Sequence, residues 1–93
     1  MLYKDRYMDS LFNQTLGEVL KKKREERNLS LEQLANRLEN EVSRQTLSTY
    51  ESGRSKIRID MFLKVCKALN YDPNEIYDEV TMLFFKKSNF KEL

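Results

Sequence analysis

The chain has 93 residues and a mass of 11.2 kDa, which is the size of one small domain. It contains no histidine and a single cysteine, Cys66, which excludes zinc-finger ligand sets, Cys–His or Ser–His catalysis and an internal disulfide framework. The 17 basic and 15 acidic side chains nearly balance, and no apolar run approaches the roughly 20 residues that cross a bilayer. With only two glycines and one proline, we expect an all-α fold. The cysteine and histidine counts lead us to expect a cytoplasmic, non-enzymatic protein that binds no metal or cofactor. The lack of a long apolar run leads us to expect no membrane binding.

The first 14 residues form a segment of their own in the hydrophobic pattern. Its large apolar side chains recur at helical spacing: Tyr3, Tyr7, Met8, Leu11 and Phe12. This spacing predicts a short amphipathic helix that packs on the domain or on a second subunit. Thr15 and Glu18 then have the form of a capping box, so a new helix is expected to start near Leu16. The predicted division is an extension at 1–14, a domain at 15–80 and a tail at 81–93.

Two capping signals in the middle of the chain predict two short helices. Ser30 begins a second capping box, and Ser43 is suited to cap the helix that follows. The polar turn 39–41 lies between them, and Asn40 is its best candidate for a left-handed residue. Gly53 is expected to end the second of these helices. Two short helices joined by a tight turn predict a helix-turn-helix motif.

A basic loop at 54–58 precedes two more predicted helices. The inward positions of the fourth helix are predicted to be Ile59, Phe62, Leu63, Cys66 and Leu69. Asp72 and Pro73 form a strong start signal for the fifth helix. Phe84 and Phe85 are an apolar surplus for so small a core, so a dimer interface or docking against residues 2–12 is expected.

Charge is distributed unevenly along the chain. Residues 15–58 carry ten basic and seven acidic side chains, whereas residues 59–85 carry two and five. A basic middle region suits a polyanion such as nucleic acid, although solvation of helix surfaces explains the same imbalance.

Residues 16–77 resemble the Cro/C1-type (Xre-like, lambda-repressor-like) helix-turn-helix family. The resemblance is carried mainly by Leu34-Ala35, Val42-Ser43-Arg44, Leu47-Ser48, Tyr50-Glu51 and Gly53. It implies a compact five-helix fold in which the second and third helices form the motif. To this fold the hydrophobic pattern adds an N-terminal extension helix and an extended C-terminal segment.

The resemblance also implies which residues contact DNA. It places four base contacts on the third helix, at Arg44, Gln45, Ser48 and Thr49. It places phosphate contacts at Ser43, Arg54, Lys56 and Arg58, and a structural ion pair between Arg24 and Glu51. Arginine can pair with guanine and glutamine with adenine in the major groove.

Three departures from the family pattern affect the predicted interface. Leu31 stands where relatives usually have a polar side chain that binds phosphate. Glu39 replaces the usual glycine of the turn, which is two residues longer than in the family. The longer turn also brings Glu41 near the predicted DNA side, where its negative charge is unfavourable.

The predicted function is therefore a sequence-specific regulator of transcription that binds double-stranded DNA. We expect a dimeric repressor of a palindromic operator, with a dimer interface at Ile76, Val80, Leu83 and Phe84. A protein-interaction module on the same fold, antitoxin-like or anti-repressor, is the alternative from another class. A restriction–modification controller protein is a further alternative.

Overall fold

The computed structural model describes residues 2–88, with side chains from Tyr7 onward. This range folds into five helices and no strands, which confirms the predicted all-α fold. In chain order they are α1 (Leu2–Glu26), α2 (Leu31–Arg37), α3 (Arg44–Ser52), α4 (Ile59–Leu69) and α5 (Pro73–Ser88). Helix α1 packs against both α3 and α5, while α2 packs against α3 and α4. Residues 89–93 of the predicted tail lie outside the described range.

The predicted helix start near Leu16 is wrong, because α1 runs without a break from Leu2 to Glu26. Thr15 is fully buried, and its hydroxyl donates a hydrogen bond of 2.8 Å to the Leu11 carbonyl. That bond to the preceding turn is the one made by a threonine inside a helix, not at its cap. The extension is thus helical as expected, but it continues the first helix of the domain.

All five helices contribute residues to the core. Its buried apolar residues include Val19, Leu20, Leu34, Leu47, Phe62, Val65, Cys66, Leu69, Ile76 and Val80. On α4 the inward residues follow the helical period from Phe62 to Leu69, so Ile59 and Leu63, predicted to face inward, are 70% and 47% exposed. Burial raises the pKa of the Cys66 thiol to about 12, so this core residue stays protonated at neutral pH.

The C-terminal part of α5 folds back onto the N-terminal part of α1. The rings of Phe12 and Phe84 meet edge to face, with 5.4 Å between their centroids. Phe84 is only 8% exposed as a result. Docking against α1, one of the two predicted uses, is thus seen for Phe84, whereas Phe85 is 48% exposed.

Four of the helices are followed, within two residues, by a residue with left-handed backbone conformation. These residues are Asn28, Glu39, Gly53 and Asn70. After α2, the Glu39 N–H donates to the Asn36 carbonyl and the Asn40 N–H to the Ala35 carbonyl, both at 2.9 Å. Asn40 has the predicted left-handed conformation (φ 61°), and Glu39 before it has φ 55°. The turn thus contains two successive left-handed residues, of which the sequence predicted one.

Candidate nucleic-acid interface

Helix α3 begins at a well-formed cap. The hydroxyl of Ser43 accepts a hydrogen bond of 3.0 Å from the Thr46 N–H, and it donates to the Thr46 hydroxyl at the same distance. The extended backbone of Ser43 (ψ 162°) then turns directly into the helix at Arg44. The remaining N–H groups of this first turn give the helix a positive end, which favours a nearby phosphate.

The side chains predicted to contact bases lie on the first two turns of α3. Arg44 and Gln45 are exposed, and neither has a hydrogen-bond or ion-pair partner among the described residues. Ser48 and Thr49 lie one turn further along and are half-buried. The Thr49 hydroxyl donates to the Thr46 carbonyl at 2.7 Å, which leaves its methyl group as the part best suited to a base contact.

The three cations predicted to contact phosphate are exposed in the loop after α3. Arg54 donates to the Ser52 hydroxyl at 3.2 Å. Lys56 lies 3.7 Å from Asp9, and Arg58 lies 3.4 Å from Asp60. Exposed ion pairs of this kind contribute little, so a phosphate can replace either carboxylate at small cost.

Helix α3 is held against α1 by a buried ion pair. The guanidinium of Arg24 donates to both carboxylate oxygens of Glu51, at 2.7 and 3.0 Å, and also to the Leu29 carbonyl at 2.7 Å. The bond to Glu51 raises the pKa of Arg24. Side-chain exposure is only 10% for Arg24 and 9% for Glu51. The pair named by the resemblance therefore joins the two helices and fixes the direction of α3.

Gly17 allows α1 and α3 to approach closely, a role that the sequence analysis missed. A Cβ atom on Gly17 would lie 2.3 Å from the Tyr50 carbonyl oxygen and 2.5 Å from that of Glu51. The backbones of α1 and α3 therefore touch at this point, and only glycine fits. The available signal was an isolated glycine inside a helical pattern, which often marks close packing.

The departures from the family pattern have clear structural consequences. Leu31 is half-buried and packs on the core, so its side chain contributes to folding instead of binding phosphate. Glu41, predicted to be unfavourable beside DNA, accepts a hydrogen bond of 2.8 Å from Lys64 on α4.

Three of the four residues predicted to form a dimer interface belong to the core of a single chain. Ile76 and Val80 have no exposed surface and Phe84 has 8%, while Leu83 is half-buried. In this fold they face α1 and α4, so the proposed interface at these residues requires correction. The exposed apolar residues nearby include Ile59, Tyr77, Met82 and Phe85, at 70%, 51%, 73% and 48% exposure.

Ile59 and Tyr77 lie at the rim of a small apolar groove of about 120 Å³. The groove is lined by Phe12, Leu16, Ile57, Ile59, Phe62 and Tyr77. None of its lining residues is charged. Ile57 belongs to the basic loop, so the groove adjoins the predicted phosphate contacts.

Among the side chains described, from residue 7 to residue 88, no group of three or more metal-ligating residues could hold a metal ion. None of the five helices combines the length and apolarity needed to cross a membrane.

Comparison with known proteins agrees with this architecture. A family model described as helix-turn-helix matches residues 20–76. One structure of the clp gene regulator ClgR from Corynebacterium glutamicum is 27% identical, with a TM-score of 0.70 over 75% of this chain and 88% of that one. A second ClgR structure from that organism is 23% identical, with a TM-score of 0.75 over 87% and 84%, and supports the fold alone. No curated protein sequence matches the chain. The chain belongs to the Cro/C1-type helix-turn-helix family, a family of DNA-binding transcription regulators.

Proposed function

We propose that the chain is a sequence-specific repressor that binds a palindromic operator as a homodimer. This proposal rests on the exposure of the Arg44 and Gln45 side chains at the start of α3. Both are exposed and lack a protein partner among the described residues, whereas Arg24, Arg27 and Arg37 are engaged in hydrogen bonds within the fold. Base recognition needs side chains whose donors and acceptors are still available.

In the proposed complex, the N-terminal turn of α3 enters the major groove. Arg44 donates two hydrogen bonds to a guanine, and Gln45 pairs with an adenine. Ser43 and the cations Arg54, Lys56 and Arg58 contact phosphates on either side. These phosphate contacts supply affinity and register, while the two side chains on α3 supply sequence preference.

Two copies are proposed to meet through the apolar groove beside the basic loop. A two-fold interface is self-complementary, so Ile59 of each copy can contact the groove of the other. The groove includes Ile57 of the basic loop. A dimer formed there brings the two basic loops together along one stretch of the DNA backbone. The two α3 helices would then recognise half-sites about one helical turn, roughly 34 Å, apart.

Repression follows if the occupied operator overlaps a promoter. The described residues contain five helices of one small domain, and the ClgR structures that resemble it are described as gene regulators. The alternative of a protein-interaction module is favoured by Glu41 and by the apolar ends of the chain. Here Glu41 is paired with Lys64 and Phe84 packs on Phe12, whereas Met82 and Phe85 are 73% and 48% exposed.

The decisive experiment is selection from duplex DNA of random sequence. The wild-type protein is expected to enrich a palindrome, and its affinity is expected to fall steeply with salt. Arg44→Ala and Gln45→Ala should each cost about 1–3 kcal/mol at one base position and relax the preference there. Lys86→Ala, an exposed cation on α5, is the matched control and should leave the preference unchanged.

Two results would count against the proposal. Enrichment of the same palindrome by Arg44→Ala and Gln45→Ala would show that other residues recognise the bases. A folded protein that enriches no sequence would favour the protein-interaction alternative. The genomic position of an enriched operator would separate a general repressor from a restriction–modification controller.

A further inference from the structure

The turn that leads into α3 carries a carboxylate close to the proposed DNA surface. Glu41 precedes the cap residue Ser43 by two residues, which is at most about 7 Å of extended chain. The Debye length is about 10 Å at 0.1 M salt, so screening over this distance is incomplete. A free carboxylate at this position would therefore repel the phosphates that flank the start of α3.

Helix α4 holds that carboxylate. The ammonium group of Lys64 donates a hydrogen bond of 2.8 Å to Oε2 of Glu41, and this bond raises the pKa of Lys64. A second bond ties the same part of the motif to α4, because Arg37 donates to the Ala68 carbonyl at 3.0 Å. The two bonds together connect the end of α2 and the following turn to one face of α4.

Glu41 and Lys64 pair with each other although other charged side chains lie in the same groove. The groove between the turn and α4 is also lined by Glu39 and Lys67, both exposed. Among the described residues, neither of these has an ion-pair partner. The groove thus provides a second carboxylate and a second ammonium group as matched controls.

We propose that Lys64 is a positioning residue for DNA binding, which holds the Glu41 carboxylate against α4 and away from the phosphates beside the N-terminus of α3. The inference rests on the proposed DNA-binding function. It requires that Lys64 act only through Glu41. Loss of Lys64 releases a repulsive charge, and loss of both side chains removes the charge altogether.

A double-mutant cycle tests this requirement. The probe is a fluorescein-labelled duplex of random sequence, about 30 base pairs or roughly three turns long. We expect Lys64→Met to raise the Kd about threefold to tenfold, the range for one uncompensated charge at this distance. Glu41→Gln should leave the Kd unchanged or lower it up to about threefold, and the double variant should match Glu41→Gln within about twofold. Lys67→Met and Glu39→Gln should each change the Kd less than about twofold.

Three outcomes would overturn the inference. An equal loss from Lys64→Met in both backgrounds, with a salt slope shallower by about one, would show that Lys64 contacts phosphate itself. An equal loss from Lys67→Met would show that only net charge matters. Either result leaves the proposed function intact. Absence of salt-dependent binding by the wild-type protein would overturn the proposed function and this inference with it.

Discussion

One ion pair lies near each end of α3, and the two pairs differ in almost every physical respect. Arg24–Glu51 joins α1 to the C-terminal half of α3 through two hydrogen bonds, with both side chains about one-tenth exposed. Lys64–Glu41 lies before the start of α3, with exposures of 47% and 49%. Water can replace either member of the exposed pair, but it has little access to the buried one. The comparison predicts that the buried pair governs folding, whereas the exposed pair governs how the surface meets DNA.

The largest effect is expected from breaking the buried pair. Glu51→Ala leaves the Arg24 guanidinium without its carboxylate, and we expect a loss of about 3–5 kcal/mol in the free energy of unfolding. Urea denaturation followed by circular dichroism measures this loss. Glu51→Gln keeps one oxygen acceptor and should cost less. A loss below about 1 kcal/mol for Glu51→Ala would contradict the assignment, because that is the value of an exposed pair.

The second effect concerns the backbone contact beside that pair. In an exposed helix, replacing glycine with alanine stabilises by roughly 0.5–1 kcal/mol. At Gly17 the new Cβ would meet the carbonyl oxygens of Tyr50 and Glu51, so we expect destabilisation of about 1–3 kcal/mol instead. The sign of the change in urea denaturation is therefore decisive. An increase in stability would show that α1 and α3 are not in backbone contact.

The parts of this fold that could be predicted from sequence are those that depend on neighbouring residues. The capping box at Ser30 and the cap at Ser43 begin α2 and α3 where they were expected. Asp72 likewise accepts a hydrogen bond of 2.9 Å from the Asn74 N–H at the start of α5. A cap involves side chains and N–H groups two or three residues apart, so the local sequence contains the whole interaction.

The parts that could not be predicted depend on packing between distant segments. Thr15 has the sequence of a cap, but burial against the rest of the domain keeps it inside α1. Glu41 and Lys64 are 23 residues apart, and their pairing needs α2 and α4 to be side by side. The site residues on α3 came from the family resemblance, which supplies a geometry that periodicity alone does not. Their contacts with DNA stay predictions.

A smaller effect is expected in the turn that carries the exposed pair. Glu39 adopts a left-handed conformation at the end of α2, whereas α1, α3 and α4 use asparagine or glycine at the equivalent place. Side chains with a Cβ are strained there, so Glu39→Gly should stabilise the fold by about 0.5–1 kcal/mol. Glu39→Gln removes the charge but keeps the strain, and it should leave the urea midpoint unchanged. Equal stabilisation by both variants would assign the effect to charge instead of conformation.

The smallest effect on stability is expected from Lys64→Met, although the same variant is expected to weaken DNA binding. Pairing raises the pKa of Lys64, so any contribution to stability is complete below the usual lysine pKa and is lost only in alkaline solution, as the pH rises through the raised value. Because an exposed pair contributes little, the urea midpoints of wild type and Lys64→Met should lie close together, and between roughly pH 6 and pH 9 their small difference should not change with pH. If Lys64→Met instead lost as much stability as Glu51→Ala, the exposed pair would be a structural element of the fold. The weakened DNA binding of the variant would then reflect unfolding, and the distinction between the two ion pairs would fail.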